Sequence, residues 1–172
     1  MSGEISIRLA MVEDAADVLE IERACADAPH WSEGVWAQVI SRHTLYGVLP
    51  SLHEPQRICF VAEYAEVVVG FVVISILSAH GLGNAVAEME SLAVREDARR
   101  RGVGRSLCLQ AVLWARTMGA VSMQLEVRSA SVAALDLYRS LGFAEQGRRK
   151  GYYTEPKDDA VLMDMLLTPK YA

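Results

Sequence analysis

A short apolar strand ending Ser91-Leu92-Ala93-Val94 leads within a few residues into Arg99-Arg100-Arg101-Gly102-Val103-Gly104-Arg105-Ser106, where a helical pattern begins. Few folds accommodate that junction. A strand that turns through glycines into a helix points free N–H groups and the positive end of the helix dipole at one spot. Glycine lets a ligand approach the backbone there. With arginines on both sides, the loop suits an anion, and a phosphorylated cofactor is the ligand that fits it best. No Gly-Lys-Ser/Thr follows and Gly-x-Gly-x-x-Gly is incomplete, so neither a Walker loop nor a dinucleotide fingerprint is present. The plainer reading is a basic loop with a glycine turn.

The chain has 172 residues and 52% hydrophobic content, enough for one well-buried core and too little for two comfortable domains. Residues 1–172 are therefore expected to form one domain, with its core over about 5–167. The longest apolar run, Val67 to Leu77, is broken by Gly70 and Ser75 and is far shorter than the roughly 20 residues of a bilayer helix. The Met1-Ser2-Gly3-Glu4 start lacks a basic stretch before an apolar one, so no signal peptide, no membrane partner and a cytoplasmic location are expected. Cys25, Cys59 and Cys108 are widely spaced and odd in number, which reads as core thiols rather than a disulfide framework. His30, His43, His53 and His80 form no i, i+4 pair and have no ligand-spaced Cys or Asp, so no metal is expected. A net charge of −5 argues against a nucleic-acid partner and suits a cationic substrate. Nothing in the sequence sets an oligomeric state.

Alternation over Ile5 to Leu9 predicts a strand, and apolar spacing over Glu13 to Ala26 a helix. A second helix is expected to start at Ser32, as a cap, and to run toward His43, with a loop from Leu49 to Gln56 around Pro50 and Pro55. Three β-branched segments, Ile58 to Tyr64, Val67 to Leu77 and Ala87 to Val94, read as a meander. Gly104 to Met118 carries a helical apolar stripe stopped by Gly119. A strand at Ser122 to Val127, a helix at Ser131 to Leu141, and strands at Phe143 to Lys150 and Asp159 to Leu167 complete the order. The fold class is α/β: a mixed, mostly antiparallel sheet of about seven strands flanked by about four helices, with one parallel crossover.

Arg-x-x-Gly-x-Gly at Arg99 to Gly104 resembles the cofactor loop of the GCN5-related N-acetyltransferases (GNAT). A second signature follows in the right order: Leu125-Glu126-Val127-Arg128-Ser129-Ala130-Ser131, then Tyr138, then Leu141-Gly142-Phe143. The resemblance spans about residues 5–167 and is weakest between Arg42 and Gln56. It implies the GNAT fold and acetyl-CoA as co-substrate, with the pantetheine arm where the strands ending near Val94 and Val127 splay apart. It further implies cofactor contacts from Leu92, Ala93 and Val94, from the loop residues Arg99, Arg100, Arg101, Gly102, Val103, Gly104, Arg105 and Ser106, and from Ser131 and Tyr138. Ser131 stands where the family usually has asparagine. Its single hydroxyl can keep a cofactor contact or simply cap the helix.

Tyr138 reads either as a core ring or, by the resemblance, as the acid that protonates the departing thiolate; a phenol with a pKa of about 10 stays protonated at neutral pH. Glu126 either pairs with a cation such as Arg128 or faces a cleft as the base. Glu88, sharing one strand face with Glu90, is the rival base, matching histone-type members. Leu-Glu-Val-Arg resembles the RimI-type ribosomal-protein-alanine acetyltransferases, which places Glu126 first. Pro29-His30-Trp31-Ser32-Glu33 resembles the entry of that group's second helix, with His30 inserted. Arg148-Arg149-Lys150-Gly151-Tyr152-Tyr153, followed by Pro156 and Asp158-Asp159-Ala160, resembles its ending. The implied acceptor is a protein N-terminus, the alanine of a small-subunit ribosomal protein. The alternatives are a small-molecule amine and, from another class, a CoA-binding module without catalysis. The stretches Leu49 to Gln56 and Ala79 to Asn84 are expected to influence substrate choice.

Overall fold

The apolar run Val67–Leu77 forms β3, and its nine interior residues are all buried, as expected of a strand covered on both faces. This is seen in a computed structural model that describes residues 4–45, 56–77 and 85–167. The two stretches expected to influence substrate choice lie outside those residues, apart from Gln56, which opens a strand. Around β3 are β1 (Ile5–Leu9), β2 (Gln56–Tyr64), β4 (Ala85–Val94), β5 (Ala120–Arg128), β6 (Ala144–Thr154) and β7 (Lys157–Leu166). They form a seven-stranded sheet in the order β1-β2-β3-β4-β5-β7-β6. The β4–β5 pair is parallel and the other five pairings are antiparallel.

The helices are α1 (Ala15–Ala24), α2 (Glu33–Leu45), α3 (Val103–Thr117) and α4 (Val132–Ser140). On one face of the sheet, Val18 and Ile21 of α1 and Trp36, Val39 and Ile40 of α2 pack on Cys59, Val61, Phe71 and Val73. On the other, Leu107, Cys108 and Ala111 of α3 and Leu135 and Tyr138 of α4 pack on Val72, Ile74, Met123 and Leu125. The crossover from β4 to β5 runs through α3, as a parallel pair requires. A Cβ on Gly70 would stand 2.9 Å from the Ala93 carbonyl oxygen and 3.3 Å from both Leu107 and Val103. Glycine in the middle of β3 is what lets α3 lie this close to the sheet.

Ser32 caps α2: its hydroxyl accepts the Val35 amide at 3.4 Å. The first helix differs from its expected span. A 3₁₀ turn at Val12–Asp14 precedes it, because the Asp14 carboxylate is engaged by the Met11 amide at 2.7 Å and by Arg8 at 2.7 and 2.9 Å. The final strand pair is longer than expected, since the β6–β7 hairpin closes tightly around Glu155 and Pro156. Between α1 and α2, the buried Glu22 carboxylate accepts the Trp36 indole N–H at 2.6 Å and the Trp31 amide at 2.9 Å. Those bonds fix the segment that carries Trp31. Among the described residues no helix is long and apolar enough to cross a membrane.

Candidate active site

Pairing between β4 and β5 runs from Ala85↔Ala120 to Met89↔Leu125 and stops there. Across β4, Val73 faces Ser91 while Ile74 faces Met89, so Glu90 is an extra, bulged residue. A bulge bends its strand and re-aims side chains. Beyond it the two strands part, as the resemblance implied, and a cleft of about 1260 Å³ opens between them.

The anion loop closes one end of this cleft. Gly102 is the N-cap of α3 with φ 86°, a left-handed conformation natural to glycine. A Cβ placed there would meet nothing within 4 Å, leaving open space over the backbone. The first helical hydrogen bond is Ser106 N–H to Gly102 O at 2.9 Å, so the amides of Val103, Gly104 and Arg105 precede the ladder and are available to an anion. Gly104 has a different reason for being glycine. Its Cβ would come within 3.3 Å of Leu137 on α4, so it permits helix packing rather than ligand approach. Arg99 donates through Nε to the Val94 carbonyl at 3.0 Å, and Arg100 holds φ 60°.

Most of the residues expected to touch the cofactor line this cleft: Leu92, Ala93 and Val94, then Arg99, Arg100, Gly102, Val103, Gly104 and Arg105, with Ser131 and Tyr138 farther on. Arg101 and Ser106 are placed elsewhere. The Arg101 guanidinium lies 5.9 Å from the Tyr64 ring centroid, and the Ser106 amide is used inside the helix. Of the two roles open to Ser131, the helix cap is not formed; its hydroxyl donates to Asp27 Oδ2 at 2.6 Å, drawing the α1–α2 segment against the cleft. Cys25, expected in the core, is half-buried and lines the cleft too, whereas Cys59 and Cys108 are buried.

The Tyr138 ring is 7% exposed and packs edge-on against Phe143 at 5.8 Å. Among the described residues its hydroxyl has no hydrogen-bond partner, and it lies on the wall of the cleft. Burial, helped by the Cys108 and Cys25 thiols, pushes its pKa well above the usual phenol value.

Away from the loop the cleft is acidic and aromatic, lined by Glu88, Glu90, Glu126, Trp31, Tyr152 and Tyr153. Glu126 is ion-paired, but to Arg149 at 3.0 Å rather than to Arg128. Glu90 pairs with Arg57 at 2.7 Å, reaching across β3 over the small Ser75 that stands opposite Arg57. Glu88 has no ion pair among the described residues. Burial raises its carboxyl above the ordinary value, and the charges of Glu90 and Glu126 add to that. Arg57 also lies 5.5 Å from the Trp31 ring centroid. The arginine partners Arg57 and Arg149 were not readable from the sequence, because both contacts depend on strand register. Among the described residues no group of three His, Cys, Asp or Glu side chains could hold a metal ion.

The sequence profile of the Acetyltransferase (GNAT) family matches residues 15–143. The [ribosomal protein bS18]-alanine N-acetyltransferase of Salmonella typhimurium (strain LT2) is 40% identical over 79 residues, which is 45% of this chain and 53% of that protein. The chain thus spans about half the length of the curated relatives it matches at this identity. The putative enzyme of the same name from Bacillus subtilis (strain 168) is 27% identical over 163 residues, 95% of this chain and 96% of that protein. The crystal structure of the ribosomal-protein-S18-alanine N-acetyltransferase from Escherichia coli shares the fold with a TM-score of 0.74 at 24% identity, covering 98% of this chain and 99% of that one.

Proposed function

This chain belongs to the Acetyltransferase (GNAT) family, and from that premise we propose that it transfers acetyl from acetyl-CoA to the α-amine of a protein N-terminus. The acceptor is the N-terminal alanine of a small-subunit ribosomal protein, a choice supported by the names its relatives carry. One observation carries the reading: a single cleft joins the anion loop at Gly102 to the acidic and aromatic end at Glu88, Glu126 and Tyr153, with Tyr138 on its wall.

Bound acetyl-CoA supplies an activated acyl carbon and a thiolate leaving group. The N–H groups at the start of α3, with Arg99 and Arg100, hold its pyrophosphate, and the parted strands take its arm. Glu126 takes the proton of the arriving ammonium so that a neutral amine attacks, and the N–H proton released as the new C–N bond forms passes to water. Tyr138 donates its phenolic proton to the sulfur as the C–S bond breaks. An α-amine suits this site on energetic grounds. With a pKa of about 8, neutralising it at pH 7 costs about 1.4 kcal/mol, against roughly 4.6 for a lysine at about 10.4.

A second reading gives the base role to Glu88. Its raised carboxyl and its lack of an ion pair among the described residues favour it, while Glu126 is engaged by Arg149. The acceptor is tested by acetyl transfer to peptides differing only in their first residue, with a polyamine as control. Preference for alanine is expected. Equal or faster transfer to the polyamine would contradict the protein acceptor and leave acetyl transfer standing.

A further inference from the structure

Arg128 ends β5, two residues beyond Glu126, and is 9% exposed. Its Nη1 donates to the Pro156 carbonyl and its Nη2 to the Glu155 carbonyl, both at 3.0 Å. These carbonyls form the tip of the β6–β7 hairpin. The guanidinium also lies 4.0 Å from the ring centroid of Tyr153. Its Nε, buried and without a hydrogen-bond partner among the described residues, stands 3.8 Å from Asp27 Oδ1, the carboxylate that takes the Ser131 hydroxyl through its other oxygen. One side chain therefore meets both walls of the acidic end: the hairpin on one side and the α1–α2 segment on the other.

The hairpin requires such a tie. β6 is an edge strand, attached to the sheet through β7 alone, and its tip carries Tyr152 and Tyr153 into the cleft. Bonding two adjacent carbonyls while stacking on a ring uses the planar, forked guanidinium, which lysine cannot reproduce. We propose that Arg128 is a positioning residue for the acceptor: by clasping the hairpin tip to the end of β5 it sets where Tyr153 stands beside Glu126, and so how the amine-bearing chain is seated. The inference rests on the acetyl-transfer reading given above.

The test compares Arg128→Met and Arg128→Lys, each alone and with Tyr153→Leu. It measures kcat and KM for an alanine-initiated peptide, acetyl-CoA affinity by calorimetry, and amide hydrogen exchange along the chain. Arg128→Met should raise the peptide KM roughly tenfold while kcat and acetyl-CoA affinity stay within about threefold of the parent. Exchange should quicken over residues 150–158 and stay unchanged in α3. Arg128→Lys should recover little of the loss. On the Tyr153→Leu background the same change should raise KM by less than about threefold, because the two residues act through one contact. An unchanged KM, a loss shared equally by KM, kcat and acetyl-CoA affinity, or fully additive effects would each overturn the proposal. If the parent protein acetylates no peptide, the functional reading fails by itself. Hairpin exchange still reads the clasp: quickening at 150–158 upholds it and unchanged exchange overturns it.

Discussion

Gly102 and Gly104 stand two residues apart, and substitution at each should have separable consequences. At Gly102 the backbone is left-handed and a Cβ would enter open space. Gly102→Val should therefore cost about 1–2 kcal/mol of stability and weaken acetyl-CoA binding at least roughly tenfold in calorimetry, because the side chain occupies the approach to the α3 amides. Gly104→Ala instead presses on Leu137 at 3.3 Å, so it should lower the melting temperature and change affinity by less. Tyr138→Phe removes a hydroxyl that no other group among the described residues bonds. Stability and cofactor affinity should hold while kcat falls by about 10²-fold, and near-parental turnover would make Tyr138 a core ring only. The two carboxylates are separated by pH. Glu126→Gln should lower kcat/KM at pH 7 by roughly 10²-fold and lose less at pH 9, where most α-amines are already neutral. If Glu88→Gln shows that pH-recoverable loss and Glu126→Gln does not, the base is Glu88. Neither the Arg149 partner of Glu126 nor the Arg57 partner of the neighbouring Glu90 was visible in the sequence, since Arg57 is 33 positions from Glu90 and pairing is set by register and by the Glu90 bulge.

Seven strands and four helices were legible as elements, because β-branched alternation, the α3 stripe and the Gly119 stop are local signals. Their ends were less legible, and α1 shows why. Asp14 delays the start of the expected helix by taking the Met11 amide and Arg8, a choice made by a salt bridge on β1. That contact predicts a pH dependence. The Arg8 hydrogen bond, together with the Met11 amide, holds the Asp14 carboxyl below its ordinary value, so its stabilisation is fully present above the unfolded pKa of about 3.9 and is lost as pH falls through the lower folded value. The parent protein should melt above Asp14→Asn at pH 6, and the gap should narrow steadily below about pH 4. A constant gap would show that Asp14 acts by shape rather than charge. The Ser131–Asp27 bond, spanning 104 positions, was beyond any local signal. A serine before a helix reads as a cap, and only the position of the α1–α2 segment turns its hydroxyl outward.

At the scale of the molecule, sheet topology is what makes a site from these parts. A parallel β4–β5 pair in an otherwise antiparallel sheet can part at one end without unravelling its neighbours, since β3 holds β4 and β7 holds β5. The opening places the anion loop, carried by the α3 crossover, in line with the acidic end carried by β4, β5 and the β6–β7 hairpin. The family loop and the second signature were readable in sequence because each is contiguous; the acidic end was only partly readable because it is gathered from the α1–α2 segment, β4, β5 and the β6–β7 hairpin. If this cleft delivers acetyl to an α-amine, a competition between two amines on one chain should reveal it. A single peptide with a free N-terminal alanine and an internal lysine is incubated with the protein and acetyl-CoA at pH 7, and the acetyl group is located by tandem mass spectrometry. Acetylation is expected at the N-terminal nitrogen and is expected to be lost in the Gly102→Val protein. Acetyl found on the lysine instead, or no transfer to either amine while acetyl-CoA binds, would contradict that expectation.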